Sequence, residues 1–191
     1  TEKVALEIAL GASACGTRSM VIVKHVGMNL LSDPLITAST HRIGAGIAII
    51  AGDDPMARAS QNEQDSRYWG FLAEVPVLDP NPLNLHSAVC EAYRISETVH
   101  TPVIVRVTDR LLQTGCVIGK KQTHARPAPF DRSIWEYSMH GRHPLFHRDT
   151  YPLMEDLSER SHLNRYWEGD GSACIVPSGY LSLLVPSILR Q

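Results

Sequence analysis

The chain has no Cys-x-x-Cys pair, no apolar run long enough to cross a bilayer, no block of like charge and few aromatic residues. Each shortage removes a class of function. The 4 cysteines, Cys15, Cys90, Cys116 and Cys174, are scattered, so neither a thiolate zinc site nor an iron-sulfur cluster finds its ligands among them. Buried free thiols of a reducing compartment are the simpler reading. No hydrophobic stretch reaches the roughly 18 residues that span a membrane. No signal peptide is recognisable in the charged, helix-like start, so a cytoplasmic location is expected. With 18 Lys and Arg against 20 Asp and Glu the formal net charge is -2, which makes no electrostatic case for nucleic acid or an anionic membrane surface. The expected partners are small molecules and other protein chains.

What is present is an apolar fraction of 43% over 191 residues, enough for one domain or for one domain with part of a second. The absence of an initiating Met and a start that falls directly into a helix suggest that the natural N-terminus lies upstream. Glu2 to Ala14 is apolar on nearly all sides and reads as a buried helix closed by Gly16, with Glu2 in its first turn at the positive end of the helix dipole. Ser19 to Val23 reads as a short strand, and Lys24-His-Val-Gly-Met-Asn29 as a loop leading to a helix that runs towards Thr40. Ile47 to Ala51 is β-branched, without alternation, and predicts a strand buried on both faces of a parallel sheet.

Beyond that strand, Ser60 with Glu63 has capping-box spacing, and Tyr68, Trp69, Phe71 and Leu72 supply the apolar face of a helix through Glu74. Val75 to Leu78 is a third strand. The turn Asp79-Pro-Asn-Pro82 starts a helix whose face is Leu85, Ala88, Val89, Ala92, Tyr93 and Val99, and Pro102 to Val107 is a fourth strand. Four such alternations imply an α/β fold with a doubly wound parallel sheet over residues 1–118. From Gly119 to Asp131 the chain turns polar, basic and proline-punctuated. This opens a linker over residues 119–171 that includes a polar helical stretch from about His143 to Ser161. Residues 172–191, with a strand expected at Ser172 to Val176 before an apolar helix, read as the start of a second α/β domain.

Three stretches invite chemistry. Histidines 140, 143 and 147 sit beside Gly and Pro without a carboxylate or thiol at ligand spacing, so they read as part of a solvated linker and no metal site is assigned. Gly169-Asp-Gly171 resembles the opening of a magnesium-diphosphate motif, but it precedes a strand and reads as a turn. The polar stretch Gly52 to Arg67 differs in kind. It leaves the carboxyl end of a central strand, where open α/β sheets place their ligands, and it collects Asp53, Asp54, Arg58, Ser60, Gln61 and Asn62, donors and acceptors in a density that a simple chain reversal does not need. A solvated surface loop with a good N-cap is the alternative that composition leaves open.

Asp53-Asp-Pro55 followed by Ser60-Gln-Asn-Glu-Gln-Asp-Ser-Arg67 closely resembles the characteristic loop of the 2-oxoacid:ferredoxin oxidoreductases, particularly the large subunit of the indolepyruvate-type enzymes. Thr1 to Ser13 and Lys24 to Asn29 are similar to two further blocks of that subunit in the same order. The resemblance continues through Pro102 to Arg110 and on to Ser161-His-Leu-Asn-Arg165, so it covers nearly the whole chain. It implies the pyrimidine-binding domain of a thiamine diphosphate enzyme, followed by a hinge into a transketolase C-terminal-like domain.

In such enzymes a carboxyl group at N1′ of the aminopyrimidine raises the acidity of the 4′-amino group, which then takes the thiazolium C2 proton and so activates the cofactor for attack on a 2-oxoacid. The resemblance puts Glu2 in that role, a position that would otherwise read as an ordinary first-turn acid. Val26, Gly27, Met28 and Asn29 would lie near the aminopyrimidine, with Gly27 letting backbone approach the ring. Ser60, Gln61 and Asn62 would face substrate, and Arg67 would pair with a carboxylate or form a structural salt bridge. The implied cofactors are thiamine diphosphate with Mg2+, held by another domain or chain, and iron-sulfur clusters elsewhere in the complex. The implied partners are a diphosphate-binding domain or subunit, a gamma/beta-type subunit, ferredoxin and coenzyme A. A pyrimidine-domain subunit of a non-oxidative decarboxylase and a non-catalytic interaction module on the same fold are the alternatives. Two departures stand out: Thr1 where the family has Asn, and Met56-Ala-Arg-Ala59 where it has Gly-Met-His-Ser.

Overall fold

The computed structural model describes residues 1–57, 60–115 and 130–188. Four parallel strands form one sheet in the order β1-β2-β4-β3: β1 (Ser19–Lys24), β2 (Ile47–Asp53), β3 (Val77–Leu78) and β4 (Val103–Thr108). Parallel neighbours need crossovers, and helices supply them: α1 (Glu2–Ala14) precedes β1, α2 (His25–His41) joins β1 to β2, α3 (Tyr68–Ala73) precedes β3, and α4 (Leu85–Val99) joins β3 to β4. After β4 come α5 (Asp109–Gln113), a 3-10 turn (Arg132–Glu136), α6 (Met139–Leu145), a π-helical turn (Phe146–Thr150), α7 (Tyr151–Glu159) and α8 (Leu181–Ile188).

The two-residue period of the strands sorts the core into two layers. Ile47, Ile49 and Ala51 of β2 point to the face covered by Leu6 and Ala9 of α1 and by Met28, Leu31 and Leu35 of α2. Ala48 of β2 with Val103 and Val105 of β4 points to the other face, against Ala92, Ile95 and Val99 of α4 and Met154 and Leu157 of α7. Helices on both faces of an all-parallel sheet are the doubly wound arrangement expected from the alternating pattern. The uninterrupted apolarity of Ile47 to Ala51 follows from burial on both sides.

Several local expectations are corrected. α1 is helical as expected, but only Leu6, Ala9 and Ser13 are buried, and Val4 and Ile8 are exposed. The apolar content of that outer face therefore does not report burial within this chain. β1 is an edge strand with Met20 and Ile22 exposed. α2 begins at His25 directly after β1, so Val26, Gly27, Met28 and Asn29 form its first turns rather than a loop. Ser60 does not cap a helix: residues 60–67 are irregular and α3 starts at Tyr68 behind Arg67. In place of the capping box, the side chain of Asp53 draws this segment inward. Ser172 to Val176 is not a strand; residues 173–178 are irregular and α8 follows. Most of the expected basic linker and the end of the first expected domain, residues 116–129, lie outside the described residues, as do Arg58 and Ala59.

Candidate functional site

At the carboxyl ends of β1, β2 and β4 the chain gathers the groups that the sequence singles out. Asp53 is the last residue of β2, and its side chain is fully enclosed. It accepts hydrogen bonds from the backbone N–H of Ser66 (2.9 Å) and the Ser66 hydroxyl (2.5 Å). The Arg106 guanidinium of β4 donates to it at 2.5 Å. Arg106 also reaches Asp79 at 3.3 Å and Asp65 at 3.6 Å. Arg67 forks onto Asp65, lies 3.8 Å from Asp79 and donates to Ser178 at 2.9 Å. Three carboxylates and two guanidiniums thus alternate in a network that fastens residues 65–67 to the sheet. Buried charges require this pairing, because an isolated ion inside a protein costs several kcal/mol. The Arg67 fork holds the Asp65 carboxyl below its ordinary range, with its backbone N–H and the Arg106 charge acting the same way against partial burial. Arg67 thus forms a salt bridge with Asp65 in this fold.

His25, the first residue of α2, connects this loop to the opposite wall. It is fully buried; its Nε2–H donates to the Asn62 carbonyl at 3.0 Å and lies 3.3 Å from the Ser60 hydroxyl, while its Nδ1 is buried with no hydrogen-bond partner. Through that one ring, Ser60 and Asn62 are set beside the start of α2. Gln61 and Asn62 are exposed and Ser60 is half-buried.

Two turns of helix shape the other wall. A β-carbon on Gly27 would fall 2.9 Å from Glu2 Cγ and 3.2 Å from its Oε1, so the missing side chain makes room for the Glu2 carboxyl itself. Glu2 is half-buried, and among the described residues no hydrogen bond or ion pair holds its carboxyl. Val26 is half-buried and Asn29 exposed, whereas Met28 is fully enclosed in the core. The structure therefore brings together Glu2, Gly27 and the start of α2, and links them through His25 to Ser60 and Asn62. It turns Met28 inward to pack and commits Arg67 to the network below. A shallow groove of about 320 Å³ runs beside the loop, lined by Gln64, Asp65, Tyr68, Trp69 and Leu72.

Arg106, Ser66, Asp65, Asp79 and His25 are the residues the sequence reading passed over. Arg106 had a signal: a lone charge inside Val103-Ile-Val-Arg-Val107 demands a buried counter-ion. His25 had none, since its neighbours alone do not reveal that it faces a loop from another part of the chain.

An all-parallel α/β sheet with helices on both faces and a polar loop at the carboxyl end of a central strand defines a doubly wound α/β protein with its candidate site where such sheets place their ligands. The chain is 33% identical over 187 residues to indolepyruvate oxidoreductase subunit IorA of Methanothermobacter thermautotrophicus, which covers 93% of this chain and 30% of that protein. It is 39% identical over 127 residues to the subunit of the same name from Methanothermobacter marburgensis, covering 66% of this chain and 21% of the relative. Among solved structures, 2-oxoglutarate:ferredoxin oxidoreductase from Magnetococcus marinus, bound to 2-oxoglutarate, coenzyme A and succinyl-CoA, superposes with a TM-score of 0.61 at 17% identity, over 88% of this chain and 38% of that one. No family model matches. By sequence the chain is similar to a segment of indolepyruvate oxidoreductase subunit IorA. It spans 21% and 30% of the length of these two relatives.

Proposed function

We propose that this chain is the pyrimidine-binding part of a thiamine diphosphate-dependent 2-oxoacid:ferredoxin oxidoreductase that converts an arylpyruvate of the indolepyruvate kind to an acyl-CoA. The observation that carries the reading is the Glu2 carboxyl, half-buried, without an internal partner among the described residues, and held against the bare backbone of Gly27. Such a carboxyl fits a basic ring nitrogen: it can share a proton with N1′ of an aminopyrimidine without first breaking an internal ion pair. When bound, thiamine diphosphate supplies the electron sink for decarboxylation.

The remaining groups of the chain position and enclose. Gly27 keeps the space beside Glu2 open, Val26 and Asn29 flank it, and Met28 anchors the first turns of α2 in the core. Ser60, Gln61 and Asn62 offer hydroxyl and amide groups towards a 2-oxoacid, and His25 sets their backbone in place. Diphosphate and Mg2+ binding, the iron-sulfur clusters, and the contacts with coenzyme A and ferredoxin belong to other domains or subunits of the assembly. Exposed apolar side chains on α1 (Val4, Ile8), β1 (Met20, Ile22) and α3 (Phe71, Leu72) support a shared interface with such a domain, since apolar surface in contiguous stretches marks association.

Glu2→Gln in the complete assembly tests the assignment. Removal of the ionisable carboxyl is expected to slow both turnover and hydrogen-deuterium exchange at thiamine C2 by 10²-fold or more, the range of a lost acid-base group. Normal exchange at C2 would sink it. Acceptor assays on the same assembly separate the oxidoreductase from a decarboxylase, which would release aldehyde with neither coenzyme A nor ferredoxin present.

A further inference from the structure

The histidines that read as part of a solvated linker acquire a carboxylate once the chain is folded. His143 lies in α6 and His147 in the π-helical turn that follows, four residues apart and so on one face. Glu74 comes from the far side of the sequence, at the end of α3, where its left-handed backbone (φ 53) turns the chain towards β3. The ligand atoms of all three lie within 4.8 Å of one another.

Two of the distances match ligands of one shared ion. His143 Nε2 is 3.2 Å from His147 Nε2, and His147 Nε2 is 3.3 Å from Glu74 Oε1. A tetrahedral ion with ligands at about 2.0–2.1 Å holds its ligand atoms about 3.3–3.4 Å apart. Two full hydrogen bonds at His147 Nε2 are not available within the cluster. His147 Nε2 faces two atoms and carries at most one proton; when that proton goes to Glu74, no lone pair is left to accept from His143. One cation satisfies all three atoms together. The His147 ring is also held in place, since it stacks on Tyr151 at 5.7 Å and meets Phe146 edge-on at 5.4 Å.

We propose that Glu74, His143 and His147 bind one divalent ion of the zinc class, with water in the fourth position. Two imidazoles select zinc, cobalt or nickel over magnesium or calcium, which favour oxygen. The side chains of His147 and Glu74 remain 42% and 31% exposed, so solvent reaches the open position. The ion clips the segment after the sheet onto the end of α3. It is independent of any cofactor at Glu2.

Cobalt(II), added to the full chain freed of metal, is the probe. The expected result is one equivalent bound with the visible bands of a tetrahedral site, displacement by zinc, and a rise in melting temperature on zinc addition. His143→Asn and His147→Asn should each weaken cobalt binding at least tenfold and abolish the zinc-dependent rise. Glu74→Gln, which keeps the size of the side chain, should do the same if either histidine variant fails to fold. Absence of stoichiometric binding would overturn the proposal. So would binding undiminished in these variants, or thiolate-to-cobalt charge-transfer bands in the near ultraviolet, which would put the ion on cysteine.

Discussion

The two sides of the candidate site treat their carboxylates in opposite ways. At the base of the loop, Asp53, Asp65 and Asp79 are each matched to Arg106 or Arg67, and the most enclosed of them, Asp53, also accepts two bonds from Ser66. At the start of α1, Glu2 has space made for it by Gly27 and no internal partner among the described residues. A fully paired carboxylate cannot readily exchange a proton with anything else, because its lone pairs are spent on the fold. An unpaired one in a half-buried position can. The contrast separates a side whose carboxylates are spent on the fold from a side whose carboxyl the proposed function uses, and substitutions on the two sides should fail differently.

The largest effect on stability is expected at Arg106. Arg106→Met leaves Asp53 enclosed with only the Ser66 bonds, and loss of one partner of a buried pair costs about 3–5 kcal/mol. Chemical denaturation of the chain should show a loss near the lower end of that range, about 3 kcal/mol, since Ser66 still satisfies part of the carboxylate. Adding Asp53→Asn should recover part of it. A loss under about 1 kcal/mol would mean that the pair is solvated and that the two sides do not differ as described.

Gly27→Ala should do the reverse. The added methyl would sit 2.9 Å from Glu2 Cγ, and Glu2 can swing aside at little cost because its side chain is flexible and only half-buried. The fold should therefore hold, helped by the better helix propensity of Ala, while turnover of the complete assembly falls on the order of 10²-fold from a displaced carboxyl. Full turnover with Ala at this position would remove Glu2 from the chemistry. Loss of folding instead of turnover would show that the glycine serves packing alone.

How much of this was readable beforehand follows the range of each interaction. The sheet order could not be read, but the two central strands and their burial could, because Ile47 to Ala51 and Val103 to Val105 carry the continuous apolar pattern that double-sided burial requires. Helix starts were legible only where local chemistry sets them. The capping box at Ser60 and Glu63 failed because Asp53, from the end of a strand, captures Ser66 and delays α3 to Tyr68. The resemblance singles out Glu2, Gly27 and the loop, since these are contiguous blocks. The Asp53–Arg106 pair and the Glu74–His143–His147 cluster depend on contacts across the fold, which spacing along the chain does not encode. Ile8 and Ile22 misled in the opposite sense, since their apolar character is not accounted for by burial in this chain.

The tip of the loop gives the smallest and most local test. Met56 adopts φ 61, the left-handed region that costs a residue with a β-carbon about 1–2 kcal/mol, and it stands where the family resemblance has Gly. Its side chain is 84% exposed, so little packing offsets that cost. Met56→Gly should therefore raise stability by about 0.5–1 kcal/mol, the relief of backbone strain less the extra chain entropy that glycine loses on folding. A thermal or denaturant melt reads the change directly. A loss on substitution would mean that Met56 restrains the loop through contacts its exposure does not suggest. A gain would confine the tie-down to the Asp53–Ser66–Arg106 base and leave the tip beyond it as strained backbone, so that the stable side ends where the paired charges end.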